Sequence, residues 1–181
     1  MNQFFHLFII SLISSYSLGQ VNKSDYLIKE ANLTITLPNL SWNLTDNQKD
    51  ETILYTFKRD PIVDRDSNNI IPAIMIYVDE ARSYKNDLIM YSIWKQKPFI
   101  EKGVKIDKIL TWQDSDYPLS FKNSIIYKCH YTSNSIDHIF YMIHLLNKQK
   151  MGVQIYMDMT NSISDICEKE FVSVIKSIRI K

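Results

Sequence analysis

A polar stretch in the first half of the chain places side-chain oxygens at alternate positions. Asp64, Asp66 and Asn68 match the first ligands of a calcium-binding loop, in which such oxygens surround one hard cation. Two diagnostic positions depart from that pattern. Asn69 stands where the tight turn has glycine, and Met75 stands where the bidentate glutamate belongs. A weak calcium site is therefore one interpretation, and an exposed polar loop between strands is the interpretation we favour.

The chain has only two cysteines, Cys129 and Cys167. In an oxidising compartment they permit a disulfide bond, which would stabilise the fold by about 4 kcal/mol on the chain-entropy model. Free core thiols are the alternative that we slightly favour, because Cys167 lies on the apolar stripe of a predicted helix. His130 follows Cys129 directly, but neighbours on a strand point to opposite faces. We therefore predict no cysteine–histidine nucleophile.

Aromatic residues bracket a short acidic segment in the second half of the chain. Trp112 and Tyr117 flank Asp114 and Asp116. Exposed aromatic side chains at a loop tip provide contact area in protein interfaces. The segment is therefore a candidate contact loop. The alternative is that Trp112 closes the hydrophobic core.

The sequence lacks the signatures of the common catalytic sites. It has no nucleophile elbow, no paired zinc-protease histidines, no Cys-x-x-Cys pair, no phosphate-binding loop and no dinucleotide fingerprint. Glycine occurs only three times in 181 residues, which excludes glycine-rich phosphate sites. The formal net charge is +1, which excludes the strongly basic surface of a typical nucleic-acid-binding domain. We predict a non-catalytic protein with no cofactor and no nucleic-acid partner.

An uncharged apolar segment near the N-terminus has the length of a secretion signal. The run from Phe4 to Ile13 is about ten residues, which is short for a membrane span but typical of a signal peptide. We predict a signal peptide over residues 1–19, with cleavage after Gly19 or, alternatively, after Gln20. An uncleaved anchor stays open because no lysine or arginine precedes the run. No cysteine lies near the cleavage site, so we expect no lipid anchor.

The mature chain, residues 20–181, is predicted to form a single domain with no membrane span. Alternating or continuous apolar residues predict strands, and short turns join the last three of these strands into an antiparallel meander. The predicted strands cover residues 33–37, 52–57, 70–78, 105–112, 124–132, 137–146 and 151–160. Pro38 ends the first strand, and Trp42 is placed in the turn that follows.

Two helices are predicted from apolar residues at helical spacing. The first is capped by Ser83 or Asn86 and is ended by Pro98. Its predicted core stripe is Ile89, Met90, Ile93 and Trp94. The second is capped by Ser162 or Ser164. Its stripe is Ile163, Ile166, Cys167, Phe171, Val174, Ile175 and Ile178.

The order of these elements determines the expected fold class. Strands that run together before and after one helix favour an α+β fold. We expect a mainly antiparallel sheet of about six to seven strands with the helices packed on it. If the last helix covers the face that carries Tyr127, Cys129 and Cys167 lie in the same apolar layer.

Three segments of the chain carry a resemblance. A short strand followed by Pro38 and Trp42, the apolar strand at 70–78, and the closing helix at 171–178 are similar to the corresponding parts of the PsbP-like family. That family includes photosystem extrinsic proteins, exported bacterial proteins of the DcrB type and a Ran-binding nuclear import factor. The resemblance covers residues 26–181 and implies an α/β/α sandwich. Its members have unrelated binding or assembly roles, so no functional residue is transferred.

The predicted function follows from the missing catalytic signatures and from the resemblance. We expect a small, monomeric, soluble protein, periplasmic or secreted, that binds or scaffolds an unidentified protein partner. A carrier of a small apolar ligand is the alternative, and an enzyme is third. A carrier needs an apolar pocket, whereas a scaffold needs an exposed apolar patch.

Removal of the signal peptide is testable by intact mass spectrometry. Protein purified from its native host should have the mass of a chain that begins at Gln20 or Val21, because the small residues before these positions fit signal-peptide cleavage. A mass that still includes residues 1–19 would contradict the prediction.

Overall fold

The computed structural model describes residues 24–49, 53–116 and 118–180. The predicted signal peptide at 1–19 lies outside these residues. A seven-stranded antiparallel sheet forms the middle layer, and one long helix lies on each face. This arrangement confirms the predicted α+β class.

The elements are numbered in chain order. The strands are β1 (Ser24–Ile28), β2 (Leu33–Leu37), β3 (Trp42–Lys49), β4 (Ile53–Arg59), β5 (Ile62–Val63), β6 (Asn69–Ile70), β7 (Ala73–Glu80), β8 (Lys105–Leu110), β9 (Ser124–Ser133), β10 (Ile136–Leu146), β11 (Met151–Thr160) and β12 (Arg179–Ile180). The helices are α1 (Leu88–Glu101) and α2 (Ser164–Ser177).

The large sheet has the strand order β3-β4-β7-β11-β10-β9-β8. The meander β9-β10-β11 is confirmed, with Ile143 of β10 opposite Ile126 of β9 and Ile155 of β11. At the edge of the sheet, the register of β8 against β9 shifts between Ile106 and Lys108, which marks a bulge. A small sheet of β1, β2 and β12 joins α2 in the layer on one face.

Alternate residues of the meander enter two different hydrophobic clusters. Tyr141 belongs to the larger cluster, which contains Phe171 of α2. Its neighbour Phe140 belongs to a second cluster, with its ring centroid 5.3 Å from that of Phe99 on α1. Because successive strand residues point to opposite faces, α1 and α2 lie on opposite sides of the sheet.

Some expected boundaries are wrong in the first half of the chain. Trp42 begins β3 instead of lying in a turn, and its side chain is buried. The expected open loop at 59–69 contains the short strand pair β5–β6, in which Ile62 is buried. Strand β7 begins after Pro72, and only alternate residues are fully buried. The near-continuous apolar run of this strand is therefore not fully buried on both faces.

The caps of both helices differ from the predicted ones. Asp87 caps α1, since its carboxylate accepts the Met90 N–H at 2.8 Å. Pro98 lies inside α1, which continues to Glu101. A short 3-10 turn, Asn161–Ile163, leads into α2, and no side chain caps that helix. The predicted α2 stripe is buried except for Ile166, which is about half exposed.

The two cysteines lie in different layers. Both are buried and free. Cys167 belongs to the cluster beneath α2, whereas Cys129 belongs to the cluster beneath α1. The expectation of one shared layer is therefore wrong, because α1 and not α2 covers the face that carries Tyr127. Burial raises the pKa of Cys129 to about 12 and that of Cys167 to about 11.

A single carboxylate attaches α2 to the β3–β4 edge of the sheet. Glu170 accepts hydrogen bonds from the Trp42 indole N–H at 2.9 Å and from the Asn39 amide at 2.8 Å. The Arg59 Nε donates to the same carboxylate at 2.9 Å, and both ion-pair partners are mostly buried. Glu170 therefore neutralises Arg59 and accepts hydrogen bonds from three side chains in two segments of the chain.

Replacement of Glu170 by alanine should destabilise the fold by about 2–3 kcal/mol, because Arg59 and the Trp42 N–H lose their acceptor in a mostly buried site. Urea unfolding would measure this change. Asp165→Ala on the same helix is the control, and its exposed pair with Arg65 should contribute less than about 0.5 kcal/mol. Equal effects of the two substitutions would contradict the role of Glu170.

Candidate functional site

Helix α1 presents its large apolar side chains to solvent, so its predicted core stripe is wrong. Tyr91 and Ser92 are fully buried instead. Successive helical residues are rotated by about 100°, so the predicted stripe lies on the side away from these two residues. The exposed apolar residues of this helix are Ile89 (63%), Met90, Ile93 (51%), Trp94 and Ile100.

Polar contacts decide which face of α1 points inward. The Ser92 hydroxyl lies 2.7 Å from the Tyr127 hydroxyl and 2.8 Å from His144 Nδ1. These two partners come from β9 and β10. All three residues are buried, so the network can form only when Ser92 faces the sheet.

A second set of contacts connects Tyr91 and Lys95 of α1 to the sheet. The Tyr91 hydroxyl donates to Asp79 at 2.7 Å, and Lys95 forms an ion pair with the same carboxylate. The Tyr91 ring lies against Gly152, where an added Cβ would be 2.4 Å from the ring. Any larger residue at that position would therefore displace Tyr91. Together these contacts fix the rotation of α1.

His144 is the most unusual group beneath α1. Burial lowers its pKa to about 3, and the charge of Lys95 acts in the same direction. The ring is therefore neutral at ordinary pH. Its Nε2 atom has no hydrogen-bond partner among the described residues. Ser92 and His144 resemble a serine–histidine pair, but neither residue is exposed to solvent.

The apolar surface of α1 continues onto the edge of the sheet. Ile109 of β8 lies opposite Tyr127 in the strand register, on the α1 side, and is about half exposed. A groove of about 510 Å³ joins Ile89 at the beginning of α1 to Trp112 and Ile125. We call the exposed set the α1 surface. Its members are Ile89, Met90, Ile93, Trp94, Ile100, Ile109 and Trp112.

The predicted contact loop contributes its tryptophan to this surface. Trp112 is half exposed, so the alternative that it closes the core is wrong, and the Lys122 ammonium lies 4.8 Å from its ring centroid. Asp114 stabilises the turn by accepting the Thr111 N–H at 2.7 Å. Asp116 forms an ion pair with Lys108, and Tyr117 lies outside the described residues.

Asp64, the first candidate ligand of the calcium loop, accepts hydrogen bonds from groups of this chain. One Asp64 oxygen accepts the backbone N–H groups of Asp66 and Asn68, each at 2.9 Å, and the other accepts the Ser162 hydroxyl at 3.0 Å. The hydrogen bond from the Asn68 backbone is the largest cause that lowers the Asp64 pKa. Among the described residues, no three His, Cys, Asp or Glu side chains form a cluster suited to a metal ion. The calcium site stays a prediction.

An aromatic groove follows the opposite flank of α1. Trp94 and Phe99 face Tyr77, Met75 and Tyr156 of the sheet across a space of about 440 Å³. An adjoining space of about 360 Å³ shares Met75 and Phe99 with it. This is the part of the described structure that fits an apolar ligand.

A polar groove of about 570 Å³ lies beyond the end of α1. The Tyr131 hydroxyl donates to Asp158 at 3.0 Å, and His138 Nδ1 lies 3.1 Å from the same oxygen. Burial, followed by the charge of Asp158, raises the Tyr131 pKa. His138 of this groove therefore contacts a carboxylate that lines the adjoining space, and no serine, threonine or cysteine of the described residues is hydrogen-bonded to that histidine.

The sequence interpretation missed the buried network beneath α1. The one signal for it is the polar residue His144 within the otherwise apolar run of β10. Buried polar side chains need hydrogen-bond partners, so this position indicated a partner somewhere in the chain. Its identity as Ser92 could not be read from spacing, because the two residues are 52 positions apart.

No family model matches the sequence, and no curated protein matches it. Solved structures do. The Ran-binding protein Mog1p of Saccharomyces cerevisiae superposes with a TM-score of 0.54 over 88% of this chain and 96% of its own, at 11% identity. Cyanobacterial PsbP from Synechocystis has a TM-score of 0.53 over 94% of this chain and 99% of its own, at 13% identity.

The chain has the Mog1/PsbP-like fold. A Pseudomonas aeruginosa protein of unknown function shares it, with a TM-score of 0.52 over 88% of this chain and 97% of its own, at 12% identity. Each likeness extends over nearly the whole of both chains, which confirms the resemblance expected from three short segments. At these identities the PsbP-like relationship is one of fold alone.

No helix among the described residues is long and apolar enough to cross a membrane.

Acidification should reveal the buried His144. The unfolded state binds a proton with a pKa near 6.5 and the folded state near 3, so stability is lost as the pH falls below 6.5. Between pH 6.5 and 5 we expect a total loss of about 1.6 kcal/mol, with the slope rising toward about 1.4 kcal/mol per pH unit as the unfolded histidine becomes fully protonated. Urea unfolding at several pH values would measure this slope.

His144→Phe keeps an aromatic ring and should abolish most of that slope. His130→Phe, at an exposed position that pairs with Asp107, is the matched control and should retain the slope. An unchanged slope in His144→Phe would show that this residue does not cause the acid sensitivity.

Proposed function

We propose that the protein is an exported, non-catalytic binding factor that docks a partner protein on the α1 surface. The observation that carries the proposal is the exposure of five large apolar side chains on a helix whose inner face is already occupied. Hydrophobic association is the interaction that such a surface supplies.

Because the rotation of α1 is fixed, its exposed apolar residues cannot be buried by a rotation of the helix toward the sheet. This supports docking of a partner on them. A helix that is apolar on nearly all sides is normally buried on all sides. Here Ser92 and Tyr91 hold one side against the sheet, so the α1 surface cannot turn inward without breaking their hydrogen bonds. Contiguous exposed apolar patches usually mark interaction sites.

The fold neighbours support a binding role. Mog1p is described as a Ran-binding protein, which shows that this architecture can present a protein-binding surface. The buried Ser92–His144 pair supports the non-catalytic part of the proposal, because no substrate can reach it in the described conformation. The predicted signal peptide is the basis for proposing export.

A carrier of an apolar ligand is the second candidate. The aromatic groove on the other flank of α1 favours it, since its volume falls within the usual range for ligand sites. Met75, Phe99 and Tyr156 would contact the ligand there. A solvatochromic fatty-acid probe should then bind the wild-type protein, and Met75→Lys should weaken that binding while leaving the α1 surface intact.

Substitutions of the α1 surface should weaken partner binding without affecting the fold. Ile93→Lys and Trp94→Ala each remove a large exposed apolar contact, and an interface residue of this kind accounts for about 2 kcal/mol or more, equivalent to about a thirtyfold loss of affinity. The partner would be identified by affinity capture with mass spectrometry, and its purified form would be titrated calorimetrically.

Ile166→Lys is the control for that experiment, because Ile166 is equally exposed but lies on α2 on the opposite side of the sheet. All variants should unfold within about 0.5 kcal/mol of the wild type. Wild-type affinity in Ile93→Lys and Trp94→Ala, or an equal loss in Ile166→Lys, would contradict docking on α1.

A further inference from the structure

We propose that the partner presents to the α1 surface an amphipathic helix whose apolar stripe is bordered by acidic residues. This inference rests on the proposed function and specifies the chemistry of the partner. Three properties of the surface carry it: its shape, the bulged strand beside it, and the distribution of unpaired charge around it.

The shape of the surface fits a helix. Ile89 and Ile93 are four residues apart on α1 and form a ridge of the kind that packs against another helix. Ile109 of β8 and Trp112, just after β8, are exposed beside this ridge. The groove that joins Trp112 to Ile89 is one end of the space between the ridge and these two residues. A stripe of apolar side chains on an incoming helix can lie along such a groove.

The adjacent edge strand disfavours the other common mode, in which the partner adds a strand. The register of β8 is interrupted between Ile106 and Lys108. Its exposed lysines, Lys105 and Lys108, are further features that protect an edge from pairing. Only a short, irregular stretch of β8 could accept a partner strand, so side-chain packing against α1 is the mode that the structure favours.

Positive charges without an ion-pair partner among the described residues lie at both ends of α1 and against Trp112. Lys85 precedes α1, Lys102 follows it, and Lys122 lies over the Trp112 ring. These three ammonium groups form no ion pair among the described residues. Each is therefore available to a carboxylate of the partner.

The acidic groups around the same surface are already occupied. Asp87 caps α1, and Asp114 holds its own turn. Glu101 pairs with Lys97, and Asp116 pairs with Lys108. The surface therefore offers three ammonium groups without an ion-pair partner among the described residues, whereas each of these carboxylates already binds a group of this chain. A partner that directs its own carboxylates at those lysines is complementary to this arrangement.

An anionic membrane would satisfy the same lysines and the same apolar residues. The four carboxylates named above border the surface, however, and a flat anionic layer would approach all of them at once. A helix can lie between them and direct its acidic residues at the lysines alone. The observations therefore favour a protein helix over a lipid surface.

Site-specific photocrosslinking in the native host tests the inference. A benzoylphenylalanine replaces Ile93 in the full-length protein, and the same group at Ile166 is the control. We expect a discrete protein adduct at position 93 only, and we expect mass spectrometry to place the link in a helical segment with an aliphatic stripe and flanking Asp or Glu. Such an adduct would support the inference.

The other outcomes distinguish failure of this inference from failure of the proposed function. A protein adduct in a segment without flanking acidic residues, or in a strand, would overturn this inference while leaving the proposed function intact. Crosslinks to lipid alone would overturn both in favour of a membrane surface. Absence of a protein adduct specific to position 93 would overturn the proposed function itself.

Charge reversal provides an independent test with the synthetic peptide identified by the crosslink. The triple variant Lys85→Glu, Lys102→Glu and Lys122→Glu should weaken peptide binding at least tenfold at low salt. The triple Arg variant at the same positions should retain wild-type affinity, and Lys176→Glu on α2 is the single-charge control. Wild-type affinity in the triple Glu variant, with circular dichroism confirming its fold, would overturn the charge argument.

Discussion

The burial of the central meander on both faces is the constraint on which the rest of the structure depends. From Phe140 to Leu146 every residue of β10 is buried, and β11 is nearly as enclosed. A strand of this kind needs a cover on each side of the sheet, because no polar face remains for water. Helix α1 supplies one cover, and α2 with the small sheet of β1, β2 and β12 supplies the other.

The two covers are attached by different physical means. Helix α2 uses a continuous apolar stripe that includes Phe171 and Ile175, and Glu170 adds one mostly buried polar attachment at the sheet edge. Helix α1 has a small buried face and depends on hydrogen bonds from Ser92 and Tyr91 to buried polar partners. Attachment by a few directional bonds leaves the remaining apolar residues of α1 free to face solvent.

This difference assigns different roles to the two layers. The α2 layer contains most of the hydrophobic core, and its large apolar side chains are buried except for a few such as Ile166. The α1 layer exposes apolar side chains and borders the aromatic groove and the polar groove. Lysines that form no ion pair among the described residues lie at both ends of α1 and against Trp112. Stability therefore resides chiefly on one side of the sheet, and recognition is proposed for the other.

The sequence by itself determined the strands β2, β4 and β7 to β11 and the stripe of α2, because both kinds of pattern are local periodicities. Alternation placed β2 and the meander, and the helical spacing from Ile163 to Ile178 determined which face of α2 is buried. For α1 the same method selected the wrong face. Helix α1 has apolar residues on more than one side, so helical spacing alone does not indicate which side is buried. Only tertiary structure decided it, because the groups that hold Tyr91 and Ser92 inward lie on other elements of the sheet. Asp79 of β7 is 12 residues from Tyr91, and Tyr127 of β9 and His144 of β10 are 35 and 52 residues from Ser92. The separation of Cys129 from Cys167 and the exposure of Trp112 follow from that same long-range choice of which helix covers which face.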